Sequence, residues 1–290
     1  MSHSPCSICG GSLGAPLLII RTPDRFERHA GISETGYERP WLGCPACGGA
    51  TSLPPAPARQ ALAHISGSYY EIDLGGTSIA ERHAKIMALP AARSDNAGRA
   101  QRVADRAAAW RARTGGGQPR LLDIGAGTGV FLARVLPLIR VFAPGASAIA
   151  VEPDPSAAAF LRSLGTFTVS EGLFTGQPEL HGMDLVTLNK VLEHLPEPLP
   201  LLQAIRQALA PAGLAYIEVP DVLTIDLRKP DDNILGPLHH HLYSPRALSA
   251  ILARAGLETL ACERVAEPSG KLTVYAFACR PEGLRIWGAS

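Results

Sequence analysis

Neither sign of charge dominates this chain: 27 Lys and Arg stand against 26 Asp and Glu, a formal net charge of +1. A protein that tracks nucleic acid by its phosphates carries a basic face, and no Lys/Arg cluster supplies one here. Long apolar runs are also missing. The longest are broken by Pro or Gly within about a dozen residues, short of the roughly 20 that a membrane helix needs. The first residues, Met1-Ser2-His3-Ser4-Pro5-Cys6, lack the basic start and apolar stretch of a secretion signal. A cytoplasmic protein is therefore expected, with neither nucleic acid nor membrane as partner. What is present is ordinary globular usage: 290 residues, 46% hydrophobic and 18% charged, can bury a full α/β core.

The most informative stretch is Leu121-Leu122-Asp123-Ile124-Gly125-Ala126-Gly127-Thr128-Gly129. Its apolar residues suit a strand buried on both faces of a parallel sheet, and its glycines permit positive φ and close approach of the backbone to a ligand. Val130, Phe131, Leu132, Val135 and Leu136 then recur at helical spacing. A strand, a glycine turn and a helix N-terminus make a crevice at the carboxyl end of a sheet, where α/β proteins bind ligands. A P-loop needs a Lys-Ser/Thr pair after its last glycine, which Gly129-Val130-Phe131 lacks. A dinucleotide loop wants Gly or Ala where Val130 stands. The form Asp-x-Gly-x-Gly-x-Gly instead resembles motif I of the class I S-adenosylmethionine (SAM) methyltransferases, with a nicotinamide enzyme or a degenerate relative as competing readings.

Three further elements resemble that family at its spacing. Ala148-Ile149-Ala150-Val151 reads as a second buried strand ending in Glu152, an acid placed to accept hydrogen bonds from ribose hydroxyls. Pro137 to Ser147 reads as a loop between the two. Met183 to Leu188 reads as a later strand, and the Asn189-Lys190-Val191-Leu192-Glu193-His194-Leu195 after it resembles the family's Val-Leu-Glu-His segment beside the methionine moiety. Ala204 to Leu209 reads as a helix stopped by Pro211-Ala212-Gly213, Leu214 to Val219 as a fifth strand, Pro245 to Ala255 as a helix, and Leu257 to Val265 with Leu272 to Ala278 as an antiparallel pair. The resemblance covers about residues 60 to 280. It implies cofactor contacts at Asp123, Gly125, Ala126, Gly127, Glu152, Pro153, Gly172, Leu173, Asn189, Lys190 and Val191. A helical segment from Ile79 to Arg113 should cap the cofactor, and Tyr69 or Tyr70 before it either faces the pocket or simply packs; Tyr70 is the candidate contact.

Four of the six cysteines form two Cys-x-x-Cys pairs, Cys6 with Cys9 and Cys44 with Cys47, each followed by Gly. Such turns bring two thiolates to one metal, and two turns fill a tetrahedron with no open position, so a structural zinc ion is expected. Disulfides are the competing reading, disfavoured in a reducing compartment. The 34 residues between the pairs exceed a minimal ribbon and form either a hairpin packed on the rest or a wall that touches substrate. Cys262 and Cys279 read as small core residues. Ser52-Leu53-Pro54-Pro55-Ala56-Pro57 reads as a stiff linker.

His239-His240-His241 is the remaining cluster. On extended backbone His239 and His241 share a side and His240 points the other way. A near-neutral imidazole there could take the acceptor's proton. The segment resembles the His-Glu-His-Leu stretch of zinc-ribbon sugar C-methyltransferases and the His-Leu-x-x-Phe-Ser/Thr-Pro stretch of many small-molecule methyltransferases, although His240 replaces the middle acid. In quinone-biosynthesis O-methyltransferases a Glu-x-x-Glu-His set helps hold a cation; Lys190 stands at the first acid here, so no catalytic metal is expected and Glu193 and His194 should line the pocket.

The resulting expectation is a doubly wound, seven-stranded Rossmann-like α/β sheet with a small zinc ribbon: residues 1–58 ribbon, 59–116 helical lead-in, 117–290 SAM-binding domain. The function implied is methylation of a small molecule, a sugar, glycan precursor or specialised metabolite, by in-line displacement onto a hydroxyl, with His241, His239 or His194 as base. A C-methyltransferase of a nucleotide-linked sugar, an RNA or protein methyltransferase, and a non-catalytic binding module are the alternatives. SAM and structural zinc are the cofactors implied.

Overall fold

The computed structural model describes residues 5–62, 72 and 75–287. From the N-terminus, β1 (Pro16–Ile20), α1 (Arg25–His29), β2 (Arg39–Gly43), β3 (Ala50–Ser52) and α2 (Ala56–Leu62) build the cysteine-rich segment. Helices α3 (Ile79–Met87) and α4 (Asp95–Arg113) lead into β4 (Arg120–Ile124), α5 (Val130–Arg140), β5 (Ser147–Glu152), α6 (Pro155–Ser163), β6 (Thr168–Glu171) and β7 (Met183–Asn189). Then come α7 (Leu199–Ala208), β8 (Leu209–Pro220), α8 (Thr224–Leu227), β9 (His241–Leu242), α9 (Pro245–Arg254), β10 (Glu258–Ala266), β11 (Leu272–Cys279) and α10 (Leu284–Trp287). Among the described residues no helix is long and apolar enough to cross a membrane.

The large sheet runs β10-β11-β8-β7-β4-β5-β6. β6, β5, β4, β7 and β8 are parallel, and β11 returns antiparallel to β8 before pairing with β10. β4 is the middle one of the five parallel strands, with Leu121, Leu122, Asp123 and Ile124 all buried, as helices on both faces of a parallel sheet require. One helix layer contains α4 and α5, where Ala100, Val103, Ala104, Ala107 and Trp110 pack with Phe131, Leu132, Val135 and Leu136. Small alanines at helical spacing let those helices approach closely. The other face holds α7 and α9 against β7, β8 and β11.

Several expected boundaries shift for local reasons. The helix expected over Ile79 to Arg113 is interrupted at Pro90, and α4 restarts where the Ser94 hydroxyl accepts from the Ala97 N–H. α5 instead continues through Pro137, since the ring's fixed φ is helical and one lost N–H is tolerated near a helix end. Pro211-Ala212-Gly213 belongs to β8, which begins at Leu209. The stiff linker shrinks to Leu53–Pro55 between β3 and α2.

The small sheet, β1-β2-β3-β9, is antiparallel throughout. Its fourth strand comes from the far end of the chain: Ala50 pairs with Leu242 and Thr51 with His241. The next residue, Tyr243, bridges in parallel to Asp221 at the end of β8. The segment 240–243 thus ties the ribbon's sheet to the seven-stranded one. Ile8 of the first knuckle is fully buried against the same core as Tyr243 and Ala247.

Candidate functional site

The glycine loop sits at the carboxyl end of β4. Gly125 has φ +71°, and a Cβ there would lie 2.5 Å from Val191 Cγ2; Gly129 has φ +72°, and its Cβ would lie 2.6 Å from Leu161 Cδ2. Both positions exclude a side chain by conformation and by space. A cleft of about 250 Å³ opens over the loop, lined by Asp123, Gly125, Ala126, Gly127, Asn189 and Lys190 among the expected contacts, and by Asn96 and Arg99 of α4.

Asp123 is buried and accepts from the Thr187 hydroxyl (2.6 Å) and Asn189 Nδ2 (3.0 Å), both on β7. Burial pushes its carboxyl up to about 7, against the pull of those two donors. Asn189, which lines the cleft, has its Oδ1 buried without a hydrogen-bond partner among the described residues. Glu152, at the end of β5, accepts from the Gly127 N–H (2.7 Å) and Asp154 N–H (2.9 Å), which ties the neighbouring strand end to the loop. Gly172 donates its N–H to the Glu152 carbonyl, Pro153 and Leu173 are exposed, and Val191 is half-buried against Gly125. Tyr69 and Tyr70 lie outside the described residues.

α3 does cover the loop. His83 donates from Nδ1 to the Thr128 carbonyl (2.7 Å), and Arg134 of α5 donates to the carbonyls of Ile86, Met87 and Leu89 at the end of α3.

A buried ionic network, not expected from the sequence, forms the floor. Arg99 grips both carboxylate oxygens of Glu218 on β8, and Arg102 and the Tyr216 hydroxyl add to them. Burial opposes the Glu218 charge, yet Arg99 and Lys190 hold its carboxyl well below the usual range. The available signal was a lone acid inside Tyr216-Ile217-Glu218-Val219. Lys190 is the one non-glycine residue with positive φ (58°) among the described residues, a conformation costing on the order of 1–3 kcal/mol. Its N–H donates to the Glu218 carbonyl and its ammonium to Thr273 (2.7 Å), which hold it there.

Beyond Lys190 the chain reaches Glu193 and His194 and a second, smaller pocket of about 70 Å³. His194 and His239 line it, with Asp24, Arg25 and Phe26 from the insertion between the cysteine pairs. Asp24 caps α1 in a capping box with Glu27, and buried Glu27, Tyr37 and Arg39 are hydrogen-bonded in series beneath it. The insertion is thus a hairpin, and its Asp24, Arg25 and Phe26 line the smaller pocket.

The three histidines do not alternate as expected. The His239 N–H closes a turn onto the Gly236 carbonyl and the His240 N–H bonds the Glu193 carbonyl (2.7 Å), so regular extension begins only at His241. His241 is buried with Nδ1 against Thr51 Oγ1 (3.2 Å) and Nε2 against the Pro196 carbonyl (3.0 Å), and is absent from both pocket linings. Burial pulls its imidazole down to about 4.

The cysteines converge. Cys6 and Cys47 Sγ are 4.0 Å apart, Cys9 and Cys44 Sγ 3.5 Å, and all four lie within 4.8 Å. A tetrahedron of sulfurs about 2.3 Å from zinc has edges of about 3.8 Å, so the set fits that ion. The Cys6 and Cys44 carbonyls accept from the Gly10 and Gly48 N–H groups in matching turns. Cys279 is a buried core residue and Cys262 a half-buried one, as read from the sequence.

The sequence profile of the methyltransferase domain family matches residues 92–261, more than half of the chain. The chain belongs to that family. The methyltransferase is of class I and SAM-dependent, with the strand order and glycine loop described above. Its solved-structure neighbours include the 1,6-didemethyltoxoflavin-N1-methyltransferase of Burkholderia thailandensis, bound to 1,6-didemethyltoxoflavin and S-adenosylhomocysteine, at 18% identity and TM-score 0.53 over 83% of this chain and 95% of that one. Another is the N,N-8-amino-8-demethyl-D-riboflavin dimethyltransferase of Streptomyces davawensis, at 25% identity and TM-score 0.43 over 56% of this chain and 49% of that one. At 18% identity the first bears on the fold alone. No curated protein sequence matches the chain significantly.

Proposed function

We propose that this methyltransferase transfers the SAM methyl to a hydroxyl of a small molecule, a sugar, glycan precursor or specialised metabolite. One observation carries the reading. The segment Asn189 to His194 runs from the cofactor cleft to a confined pocket of about 70 Å³, whose wall is the ribbon insertion. A pocket of this size suits a small acceptor better than a nucleic-acid or protein chain, and the net charge of +1 offers no steering for phosphates. The acceptor named for the Burkholderia neighbour is likewise a small molecule.

SAM, when bound, supplies an electrophilic methyl on sulfonium, so the chain's task is alignment and exclusion of water. Asp123, Glu152, Asn189 and the loop N–H groups would hold the cofactor. The acceptor's proton would go to His239 or His194, which line the pocket, with Glu193 buried behind them rather than in the lining. Burial keeps His239 well below the usual imidazole range and therefore neutral at pH 7, able to accept. His241, with both ring nitrogens engaged, would serve to hold β9 rather than act as base.

In this reading residues 1–58 are a ribbon whose four thiolates bind a structural zinc ion in the reducing cytoplasm, and whose insertion closes the acceptor side. The test is transfer of labelled methyl from SAM into extract separated into small-molecule, protein and RNA fractions, with Asp123→Ala protein as the blank. Label in the small-molecule fraction supports the reading. Label in RNA or protein overturns the acceptor class.

A further inference from the structure

Glu193 presents an anomaly that methyl transfer alone does not explain. Its side chain is 1% exposed, and neither carboxylate oxygen has a hydrogen-bond partner among the described residues. Buried carboxylates are normally paired, hydrogen-bonded or coordinated to a metal. The Lys190 ammonium, whose field reaches Glu193, is committed to Thr273 and lies 3.6 Å from Glu218.

The two histidines beside it are set in a particular tautomer. His194 Nδ1 lies 3.0 Å from the Leu238 carbonyl and His239 Nδ1 2.7 Å from the Ile234 carbonyl. A carbonyl only accepts, so both Nδ1 atoms carry the proton and both lone pairs sit on Nε2. Metal-bound histidines show this same backing of one ring nitrogen by a carbonyl. The two rings meet edge to face at 4.5 Å, and one ligand atom from each of Glu193, His194 and His239 lies within 4.8 Å of the others. The His240 N–H bond to the Glu193 carbonyl fixes the two stretches side by side.

We propose that Glu193, His194 and His239 form a second metal site, for a divalent transition-metal ion whose open coordination positions face the pocket behind Asp24, Arg25 and Phe26. Two imidazoles and one carboxylate suit Zn²⁺, Mn²⁺, Fe²⁺ or Co²⁺ and leave room for an oxygen ligand, unlike the four-thiolate site, which is closed. The role of the ion rests on the methyl-transfer reading and replaces direct proton acceptance by the two imidazoles, whose Nε2 lone pairs then bind the metal. An acceptor hydroxyl coordinated there loses its proton to water at lower pH, and its oxygen then bonds the methyl carbon as the carbon–sulfur pair returns to sulfur. The expectation of no catalytic metal, drawn from Lys190, fails in this account because the third ligand comes from His239, 46 residues beyond Glu193.

The test reads the metal itself and needs no acceptor, so its failure would leave methyl transfer standing. Full-length protein is loaded with Zn²⁺, desalted and analysed for metal content. Wild type should hold two equivalents per chain, and Glu193→Gln and His239→Ala one each, with S-adenosylhomocysteine binding as the check that both variants are folded. Co²⁺ added to wild type already filled at the cysteines should produce d–d absorption without sulfur-to-metal charge transfer. A single equivalent in wild type, a second one with thiolate bands, or equal loading of folded variants would overturn the site.

Discussion

The cleft over the glycine loop and the smaller pocket share one segment, Asn189 to His194, yet they are assembled in different ways. The cleft is built from strand ends of one sheet: Asp123 on β4, Glu152 on β5, Asn189 on β7, each held by neighbours on the adjoining strand or loop. The pocket is built from pieces that meet only in the folded chain, Asp24–Phe26 of the insertion, His194, and the turn from Asn233 to His239. A parallel sheet places its carboxyl ends together whatever the loops do; the pocket depends on the ribbon docking correctly. The cleft should therefore be robust, and the smaller pocket conditional on the ribbon.

The widest separation between the two is expected from Asp123→Ala. It removes the acceptor for Thr187 and Asn189 at the cofactor site, and methyl transfer should fall at least a thousandfold, about 4 kcal/mol of transition-state stabilisation. S-Adenosylhomocysteine binding by calorimetry should be lost with it, while zinc content of the ribbon should not change. Retained cofactor affinity would mean that the cleft is not organised around this carboxylate.

Glu218→Gln attacks the floor that supports Lys190. It leaves Arg99, buried and formerly paired with both carboxylate oxygens, without its counter-charge. Breaking one partner of such a pair costs about 3–5 kcal/mol, to be read as a fall in stability by chemical denaturation. A loss below about 1 kcal/mol would show that the network is not a structural requirement of the cleft.

His241 provides a titratable contrast on the other side. Its folded imidazole sits at about 4 against an ordinary 6.5. Because the folded value is depressed, the associated stability is present above pH 6.5 and is lost as pH falls toward 4, up to about 3 kcal/mol in all. Denaturation near pH 7.5 and near pH 4.5 should show that loss in wild type and a smaller one in His241→Asn. Equal losses would place the acid sensitivity elsewhere.

The same contrast explains what could be read from the sequence. The glycine loop, β4, Glu152 and β7 are local signals: apolar runs, an acid at a strand end, residues three or two apart. The cysteine knuckles are local as well, and their convergence followed from spacing. Alternation along 239–241 failed because the Gly236 turn resets the backbone before β9, so His239 and His241 have different surroundings. Arg99 and Glu218 lie 119 positions apart, and no periodicity links them. The insertion's place beside His239 likewise depends on β3 pairing with β9, a contact between the two ends of the chain.

The smallest effect on the cofactor side is expected from the ribbon. If the ribbon's metal is what holds the acceptor wall, Cys44→Ser should loosen β3 and, through it, the β9 pairing at Leu242 and His241, the Ser52 N–H bond to the His240 carbonyl (2.9 Å), and the Ser244 hydroxyl bond to the Cys47 carbonyl (2.8 Å). All of these lie on the side of the smaller pocket; among the described residues Asp123, Glu152 and Asn189 make none of their hydrogen bonds to the ribbon. Methyl transfer to the identified acceptor should drop roughly tenfold or more through a raised KM, with S-adenosylhomocysteine affinity changed by less than about twofold. A parallel loss of both would mean that the ribbon and the sheet fold as one cooperative unit and that the division between a robust cleft and a conditional pocket does not hold.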